Sequence, residues 1–307
     1  DKSHILRDPL VGSLFENLSA GPNNIWGFLQ KNDGEIFLQE ANDQGIPVVE
    51  YLRGTHYTTG SRDKLKPYAP QIPRSLAGFQ MGGTGLSGIA LTEDQNSAFN
   101  TPYGDVENVF FIANPIMNKI QVITSTRGPH GHHSYKKQAD FLTTTDSWFR
   151  PVAAHFGPDG CLYVVDWYNK IISHNEVPRT HPDRDKTRGR IWRIRPENLP
   201  SFAPPDLMKV APKELLAALA HPNERVARFA WHAIADRNEQ GLSKDLEGLV
   251  LHAPDLNTRI LAFWSLEDLG ALRVDLLERL SSDSASDIRF EAVRALTSLE
   301  CTAAEAF

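Results

Sequence analysis

The chain has 307 residues, enough for one large domain or two ordinary domains, each with its own core. Its formal net charge is −6 and it has no lysine-rich tract. We therefore expect no nucleic-acid partner, because non-specific binding to phosphates needs a basic surface. No apolar run approaches the roughly 20 residues that a membrane-spanning helix requires. The chain begins at Asp1 without a methionine, so we expect a processed chain or a part of a longer protein.

Short apolar runs separated by glycine- and proline-containing turns fill residues 1–196. The runs lie at 25–29, 35–38, 47–52, 87–92, 108–115, 119–125, 153–156, 161–165 and 190–195. Asn-Asp-Gly at 32–34 predicts a tight hairpin turn, and residues 55–85 are interpreted as an inserted loop. Such spacing without a helical period is typical of a sandwich, barrel or propeller. We predict the C-terminal part of a β-propeller, with about three to four blades.

A long polar segment interrupts the last of these blades. It follows Asp166 and Trp167 at the end of an apolar strand and lasts until a strand resumes at Arg190. A blade needs only a short turn here, and long loops on a rigid β-scaffold often carry binding or catalytic residues. Residues 166–195 hold eight Arg or Lys against four Asp or Glu. The same segment is therefore also interpreted as a salt-bridge network that docks the two domains, or as a partner interface.

After residue 196 the spacing of the apolar residues changes to that of an α-helix. Residues 197–211 form a proline-rich linker, and residues 212–307 are predicted to be HEAT-like helical repeats of an α-solenoid. Five apolar side chains are expected on one face of the first strongly periodic helix: Val226, Phe229, Ala230, Ala233 and Ile234. Asn223-Glu-Arg-Val recurs as Asn257-Thr-Arg-Ile, and Ser286-Asp-Ile follows in the same role. The fold class is therefore multidomain, β then α.

The segments FRPVAAHFGPDGCLYVVDWYN and ISHNEVPRTHPDRDKTRGRIWRIRP, followed by the helical stretch AFWSLEDLGAL, carry a resemblance to a known family. They resemble the bacterial membrane-bound dehydrogenases of the glucose/sorbosone dehydrogenase-like class, known from planctomycetes and verrucomicrobia. In that family a β-propeller precedes HEAT-like repeats, and a c-type cytochrome domain often follows. Too few strands are present for a closed propeller, so missing blades or another chain are expected at the N-terminal edge.

The resemblance implies an extracytoplasmic, periplasmic or membrane-associated quinoprotein-like dehydrogenase. Such an enzyme would oxidise a sugar or polyol with pyrroloquinoline quinone and Ca²⁺ and pass electrons to a cytochrome c domain or subunit. The chain has no CxxCH motif, so a c-type haem would belong to a portion outside it. The incomplete propeller is expected to be inactive alone.

The polar segment supplies residue types that suit this chemistry. His174 and His181 are the candidate catalytic residues, because imidazole titrates near neutral pH. Hard oxygen ligands and bidentate cations would hold a quinone and Ca²⁺. The candidate cofactor-binding residues are Asp166, Trp167, Asn169, Arg179, Arg184 and Arg188, and the candidate metal ligands are Asp183 and Asp185.

Two alternatives stay open. His130, His132 and His133 are typical imidazole ligands of a transition metal, although the neighbouring glycine and proline equally favour a surface loop. The chain is also consistent with a non-catalytic propeller–solenoid module that binds a protein or polysaccharide, because both architectures offer broad interaction surfaces.

Overall fold

The computed structural model describes residues 3–7, 14–19, 25–41, 48–51, 81–82, 85–129, 131, 133–173, 177–200 and 202–296. The chain divides into two compact units, residues 1–199 and residues 200–307. Strands make up the first unit and helices the second, so the predicted order of β-structure followed by α-structure is confirmed. The blade number and the solenoid assignment stay predictions. Most of the predicted 55–85 loop lies outside the described residues.

The described residues of the first unit form four antiparallel sheets. Strands β1 (Ser3–Arg7) and β2 (Leu14–Ser19) form a pair, and β3 (Ile25–Gln30), β4 (Ile36–Glu40) and β5 (Val49–Tyr51) form the sheet that we name the first sheet. The second sheet contains β6 (Ile89–Ala90), β7 (Asn108–Asn114), β8 (Lys119–Arg127), β9 (His133–Lys137) and β10 (Leu142–Thr143). The third contains β11 (Pro151–Phe156), β12 (Leu162–Asp166) and β13 (Arg190–Ile194).

Local sequence explains the turn that joins β3 to β4. Gly34 has φ 85°, a left-handed conformation that glycine adopts without steric cost. Its N–H donates to the carbonyl of Lys31, and the Lys31 N–H donates to the carbonyl of Glu35. The predicted hairpin turn at residues 32–34 is therefore confirmed. This tight connection sets the register that brings Glu35 to the start of β4.

Strand β7 is buried on both faces, which explains its continuous apolar sequence. Its side chains alternate between two cores, as the pleat of a strand requires. Phe110 and Ile112 pack with Phe37 of the first sheet, whereas Phe111 packs with Phe156 of the third sheet. The second sheet therefore lies between its two neighbours and shares an apolar layer with each.

Two strand predictions differ from the structure. The run at 87–92 forms only the two-residue strand β6, and residues 133–137 form β9 along the edge of β8. The surface-loop alternative is therefore wrong for His133, which is buried at the start of β9. His130 and His132 lie outside the described residues.

The second unit contains six α-helices among its described residues. They are α1 (Pro212–Leu219), α2 (Glu224–Asp236), α3 (Ser243–His252), α4 (Leu256–Asp268), α5 (Val274–Leu280) and α6 (Ser286–Leu296). Asn223 caps α2 by accepting the N–H groups of Arg225 and Val226, and Asp255 caps α4 by accepting that of Thr258. Asn257 lies inside α4 and is not the counterpart of Asn223, because the matching cap is Asp255.

The predicted apolar face of α2 is wrong at one position. Val226, Ala230, Ala233 and Ile234 are buried, but Phe229 is 46% exposed. One residue corresponds to about 100° around a helix, so Phe229 lies about 100° from Ala230 at the centre of the buried stripe.

No helix among the described residues is long and apolar enough to cross a bilayer.

Candidate functional site

Asp166 closes the end of the third sheet. Its carboxylate is buried and accepts four hydrogen bonds. Oδ1 accepts the backbone N–H groups of Arg150 and Tyr168, both at 2.8 Å. Oδ2 accepts Arg190 Nε–H at 2.7 Å and Trp192 Nε1–H at 3.1 Å. Both oxygens of this candidate cofactor ligand are therefore used to join β11, β12 and β13.

Asn169 and Arg150 extend this network into the polar segment. Asn169 is buried, and its Nδ2 donates to the carbonyl of Asp185 at 2.8 Å. Arg150 donates to the carbonyls of Asn169, Lys170 and Pro115 at 2.8–3.0 Å. Burial lowers the pKa of Arg150, although the charge of Asp166 opposes that shift. Arg150 thus ties its own stretch of backbone to two others, at Pro115 and at residues 169–170, a role that we did not predict from the sequence.

Asp183 and Asp185, the two candidate metal ligands of the segment, are already engaged. Cationic side chains pair with both carboxylates, and backbone N–H groups also donate to Asp185. Asp183 accepts from Lys170 Nζ at 2.9 Å. Asp185 Oδ1 accepts the backbone N–H groups of Thr187 and Arg188, and Oδ2 pairs with the Arg188 guanidinium. The Thr187 bond lowers the pKa of Asp185 to about 2, with a further contribution from Arg188. These contacts fold the segment back on itself.

His181, a candidate catalytic residue, is partly buried within a turn. Its Nδ1 accepts the backbone N–H of Asp183 at 3.2 Å. Nε2 therefore carries the proton of the neutral ring, and the ring presents a donor in this arrangement. His174, the other candidate, lies outside the described residues.

Aromatic and arginine side chains line the start of the segment. Trp167 is exposed, and Tyr168 packs against Trp148 with ring centroids 5.3 Å apart and the ring planes tilted by 37°. Tyr168 has φ 51°, which is rare for a bulky residue and persists only where surrounding contacts enforce it. The Arg190 guanidinium lies 3.8 Å from the Tyr168 ring centroid, and that of Arg188 lies 5.4 Å from it.

The other two arginines of the predicted site differ in their surroundings. Arg184 donates to the carbonyls of Val177 at 2.8 Å and Pro178 at 3.1 Å, so it stabilises the turn of the segment. Arg179 is exposed. The structure therefore brings Asp166, Asn169 and Asp185 into one network, and the assigned functions of these residues stay predictions.

A second polar cluster lies between the first and second sheets. Glu35 precedes β4, Glu50 lies on β5 and His133 begins β9. All three are buried, and their ligand atoms lie within 4.8 Å of one another. His133 Nε2 is 3.1 Å from Glu35 Oε1 and 3.9 Å from Glu50 Oε1. Among the described residues, this group has the spacing and side-chain types that can hold a metal ion.

The ring of His133 is fixed on both sides. Its Nδ1 lies 3.1 Å from Ser125 Oγ, which also accepts Asn108 Nδ2–H at 3.1 Å. Phe37 and Tyr135 pack near the ring, with centroid distances of 5.6 Å and 5.9 Å. The imidazole is thus held in one orientation, with Nε2 directed to the carboxylates.

Glu35 is compensated by two cations. Lys31 Nζ lies 3.1 Å from Glu35 Oε2, and Arg127 Nη2 lies 2.9 Å from Glu35 Oε1. Burial acts to raise the pKa of Glu35, but the hydrogen bond from His133 and the charges of Lys31 and Arg127 lower it to about 2. Glu35 is therefore ionised throughout the neutral range.

Glu50 is less completely satisfied. Its Oε2 accepts from Tyr135 Oη and from the His133 backbone N–H, both at 3.3 Å. Its buried Oε1 has no hydrogen-bond partner among the described residues. Burial and the charge of Glu50 raise the pKa of Tyr135, which therefore stays a hydrogen-bond donor.

Sequence reasoning identified only His133 of this cluster. Glu35 and Glu50 were missed because they lie 98 and 83 residues from His133 along the chain. The available signal was a glutamate within or next to a short apolar strand, in EIFL and PVVEYL. A charged residue at a strand position that faces the core needs a buried partner.

The chain is similar to two solved structures, each described as a glucose dehydrogenase. Both show 20% sequence identity and a TM-score of 0.32. The alignments cover 49% of this chain and 43% of that structure's chain in one case, and 61% and 49% in the other. The chain thus spans less than half the length of these structures. No curated protein sequence matches it.

A family model described as a domain of unknown function, DUF7133, matches residues 4–198. The match covers nearly the whole β-sheet unit and therefore more than half of the chain. It includes both polar clusters. The chain belongs to the DUF7133 family.

Proposed function

We propose that this chain is part of an extracytoplasmic quinoprotein-like dehydrogenase. The whole enzyme would oxidise a sugar or polyol and pass electrons to a cytochrome c domain or subunit, with further propeller blades or another chain at the N-terminal edge. The resemblance of residues 149–196 to the glucose/sorbosone dehydrogenase-like class supports the proposal. A location in the periplasm, with membrane association, is proposed on the same resemblance.

The observation that carries the proposal is the conformation of Tyr168 within that segment. A left-handed backbone at a tyrosine costs energy, and such strained residues cluster at functional sites. Here the strain places an aromatic ring beneath the guanidinium of Arg190, next to exposed Trp167. The charge of Arg190 is already paired with Asp166 and Asp146, so the aromatic faces are the part of this arrangement that suits a planar or sugar-like ligand.

The carboxylates of the segment do not fit Ca²⁺ in this arrangement. Calcium takes six to eight oxygen ligands. Asp166 already accepts four N–H donors, while Asp183 and Asp185 pair with Lys170 and Arg188. No reaction step is therefore assigned through a calcium ion at these residues.

A quinone is a better match for the exposed side chains. Trp167 would stack on a planar ring, and Arg179 would pair with a quinone carboxylate. When bound, a quinone supplies the hydride acceptor of the reaction. His181 can donate a hydrogen bond to a substrate hydroxyl from Nε2. Nε2 can accept a proton only if the ring proton moves to Nδ1. Nδ1 would then no longer accept the backbone N–H of Asp183.

The test is dye reduction by the longer native protein on a panel of aldoses and polyols, with pyrroloquinoline quinone added. We expect turnover in this assay, and a quinone or haem absorption band in the visible spectrum of the native protein before any quinone is added. Trp167→Ala should lower kcat/KM about 10-fold, and His181→Ala about 100-fold. Trp26→Ala and His252→Ala change an exposed tryptophan on β3 and an exposed histidine on α3, so they serve as controls.

A colourless protein that turns over none of these compounds would contradict the dehydrogenase proposal. That result would favour the alternative, a non-catalytic module that binds a protein or polysaccharide. Full activity in both site variants would instead remove Trp167 and His181 from the mechanism.

A further inference from the structure

We propose that Glu35, Glu50 and His133 bind one divalent transition-metal ion of the Zn²⁺ class between the first and second sheets. The site is separate from the polar segment of the third sheet and is independent of the dehydrogenase proposal. Its ligands come from β5, β9 and the residue before β4.

The distances suit a small divalent cation. A tetrahedral zinc ion with ligands at about 2.0–2.1 Å separates its ligand atoms by roughly 3.3 Å. His133 Nε2 lies 3.1 Å from Glu35 Oε1 and 3.9 Å from Glu50 Oε1. All three ligand atoms lie within 4.8 Å of one another, so the two glutamate oxygens would have to approach each other by up to about 1.5 Å to reach the ligand spacing of a zinc site.

The buried oxygen of Glu50 points to a ligand. Glu50 is only 3% exposed, and its Oε1 has no hydrogen-bond partner within the described part of the chain. Burial of a carboxylate oxygen without a partner is costly. A cation close to His133 Nε2 would be within reach of this oxygen and would compensate its charge.

The balance of charge around the cluster favours a cation. The described salt bridges of Lys31 and Arg127 go to Asp33, Glu35 and Glu107. Together with Glu50, the described carboxylates of this region outnumber these two cations. Buried charges are normally paired or coordinate a metal. Binding of a divalent ion would bring the region close to neutrality.

The surroundings of His133 match those of a metal ligand. Nε2 must lose its proton to bind a metal, and Nδ1 then carries the ring proton. Ser125 Oγ, 3.1 Å from Nδ1, can accept that proton in a hydrogen bond. Metal-binding histidines commonly donate from the second ring nitrogen in this way, which fixes the tautomer and the ring orientation.

The donor set selects the class of metal. Imidazole suits zinc and other transition metals, whereas Ca²⁺ and Mg²⁺ prefer oxygen ligands alone. One nitrogen and two carboxylate donors in a buried site therefore favour Zn²⁺ over Ca²⁺. Three protein ligands leave a fourth position for water.

The experiment measures zinc binding by the full chain, independently of any activity. After treatment with a chelator, the protein is titrated with Zn²⁺ by calorimetry, and the bound metal is counted by elemental analysis. We expect one zinc per chain. Glu50→Gln keeps the size of the side chain and should lower the affinity at least about 10-fold.

Glu247→Gln is the matched control. Glu247 lies on α3 and pairs with Arg273 in a partly exposed salt bridge, so its substitution should leave zinc affinity unchanged. No zinc bound by the wild-type chain, or equal affinity in Glu50→Gln, would overturn the proposal. Displacement of zinc by an equal concentration of Ca²⁺ would overturn the assigned metal class.

A second measurement avoids any dependence on the folding of Glu50→Gln. A ligand that binds only the folded state raises the Tm of the wild-type chain. Zinc in 100-fold excess over its dissociation constant should raise the Tm of the β-sheet unit, and a chelator should reverse the shift. An unchanged Tm at saturating zinc would contradict a site between these sheets.

Discussion

The hydroxyl oxygen of Ser125 lies 3.1 Å from Nδ1 of His133, on the neighbouring strand of the same sheet. Ser125 also accepts a hydrogen bond from Asn108 on β7. The imidazole is therefore oriented by a chain of polar contacts that crosses three strands. Strands β7, β8 and β9 of the second sheet therefore fix the direction in which the imidazole faces Glu35 and Glu50.

This relationship predicts the effect of Ser125→Ala. The ring would keep its packing against Phe37 but lose the serine oxygen that would accept Nδ1–H when Nε2 binds the metal. We expect zinc affinity to fall about 10-fold, as is typical for loss of a residue that orients a ligand. Calorimetric titration checks it, with the exposed neighbour Thr126→Ala as the control. Unchanged affinity in Ser125→Ala would show that the serine does not orient the ring.

Asp166→Asn is predicted to destabilise the β-sheet unit. The substitution removes the charge that pairs with Arg190 and replaces one acceptor oxygen by a donor group that faces other donors. Loss of one partner from a buried ion pair costs about 3 kcal/mol. Urea denaturation followed by tryptophan fluorescence measures it. Asp183→Asn, at an exposed pair with Lys170, should unfold at the wild-type urea concentration.

Glu35 predicts a dependence of stability on acidic pH. Its pKa of about 2 in the folded chain lies below the usual value of 4.5 for a glutamate, so the folded state favours the charged form. The resulting stability is present above about pH 4.5 and is lost as the pH falls towards 2. The size is on the order of 3 kcal/mol. Urea midpoints at pH 7, 5 and 3 measure it, and Glu35→Gln should show a smaller decrease over this range than the wild type. Parallel decreases in both proteins would assign the acid sensitivity to other carboxylates.

In the helical unit, Glu291 joins α4 to α6. Its buried carboxylate accepts Trp264 Nε1–H at 2.9 Å and Arg294 Nε–H at 2.7 Å. Glu291→Ala would leave both donors without this acceptor, so we expect a loss of about 2–3 kcal/mol. Thermal unfolding followed by circular dichroism of the helices tests it. Glu278→Ala, at an exposed position of α5, is the control, and equal melting of the two variants would contradict the prediction.

The parts of the fold that were predictable depend on local pattern. An apolar run between turns identified β7, and the Asn-Asp-Gly turn identified the hairpin before β4. Strand β9 was missed because His-Ser-Tyr-Lys-Lys has little apolar character and is ordered by pairing with β8. Phe229 was misplaced because the helical period fixes spacing but not the centre of the buried stripe.

The candidate sites, like the fold, could be predicted only where local sequence carries the signal. The sequence identified His133 as a candidate metal ligand and the polar segment as a candidate site. It did not identify Glu35 and Glu50 because strand pairing and sheet packing bring them to His133 from distant positions. A search for isolated glutamates in apolar strands would have found both residues, but not their common neighbour.

The two-sided burial of β7 has a consequence for strand alignment. In a strand with one solvent-exposed face, a slip of one residue moves every apolar side chain into water, and the lost burial disfavours it. In β7 the same slip would only exchange Phe110 and Phe111 between two apolar layers. The short turn of residues 115–118 between β7 and β8 limits such a slip. Polar contacts at the ends of β7 oppose it further, because buried Asn114 donates to Gln121 and to the carbonyl of Met81, and buried Asn108 donates to Ser125. Two amides therefore contribute to an alignment that hydrophobicity leaves undetermined.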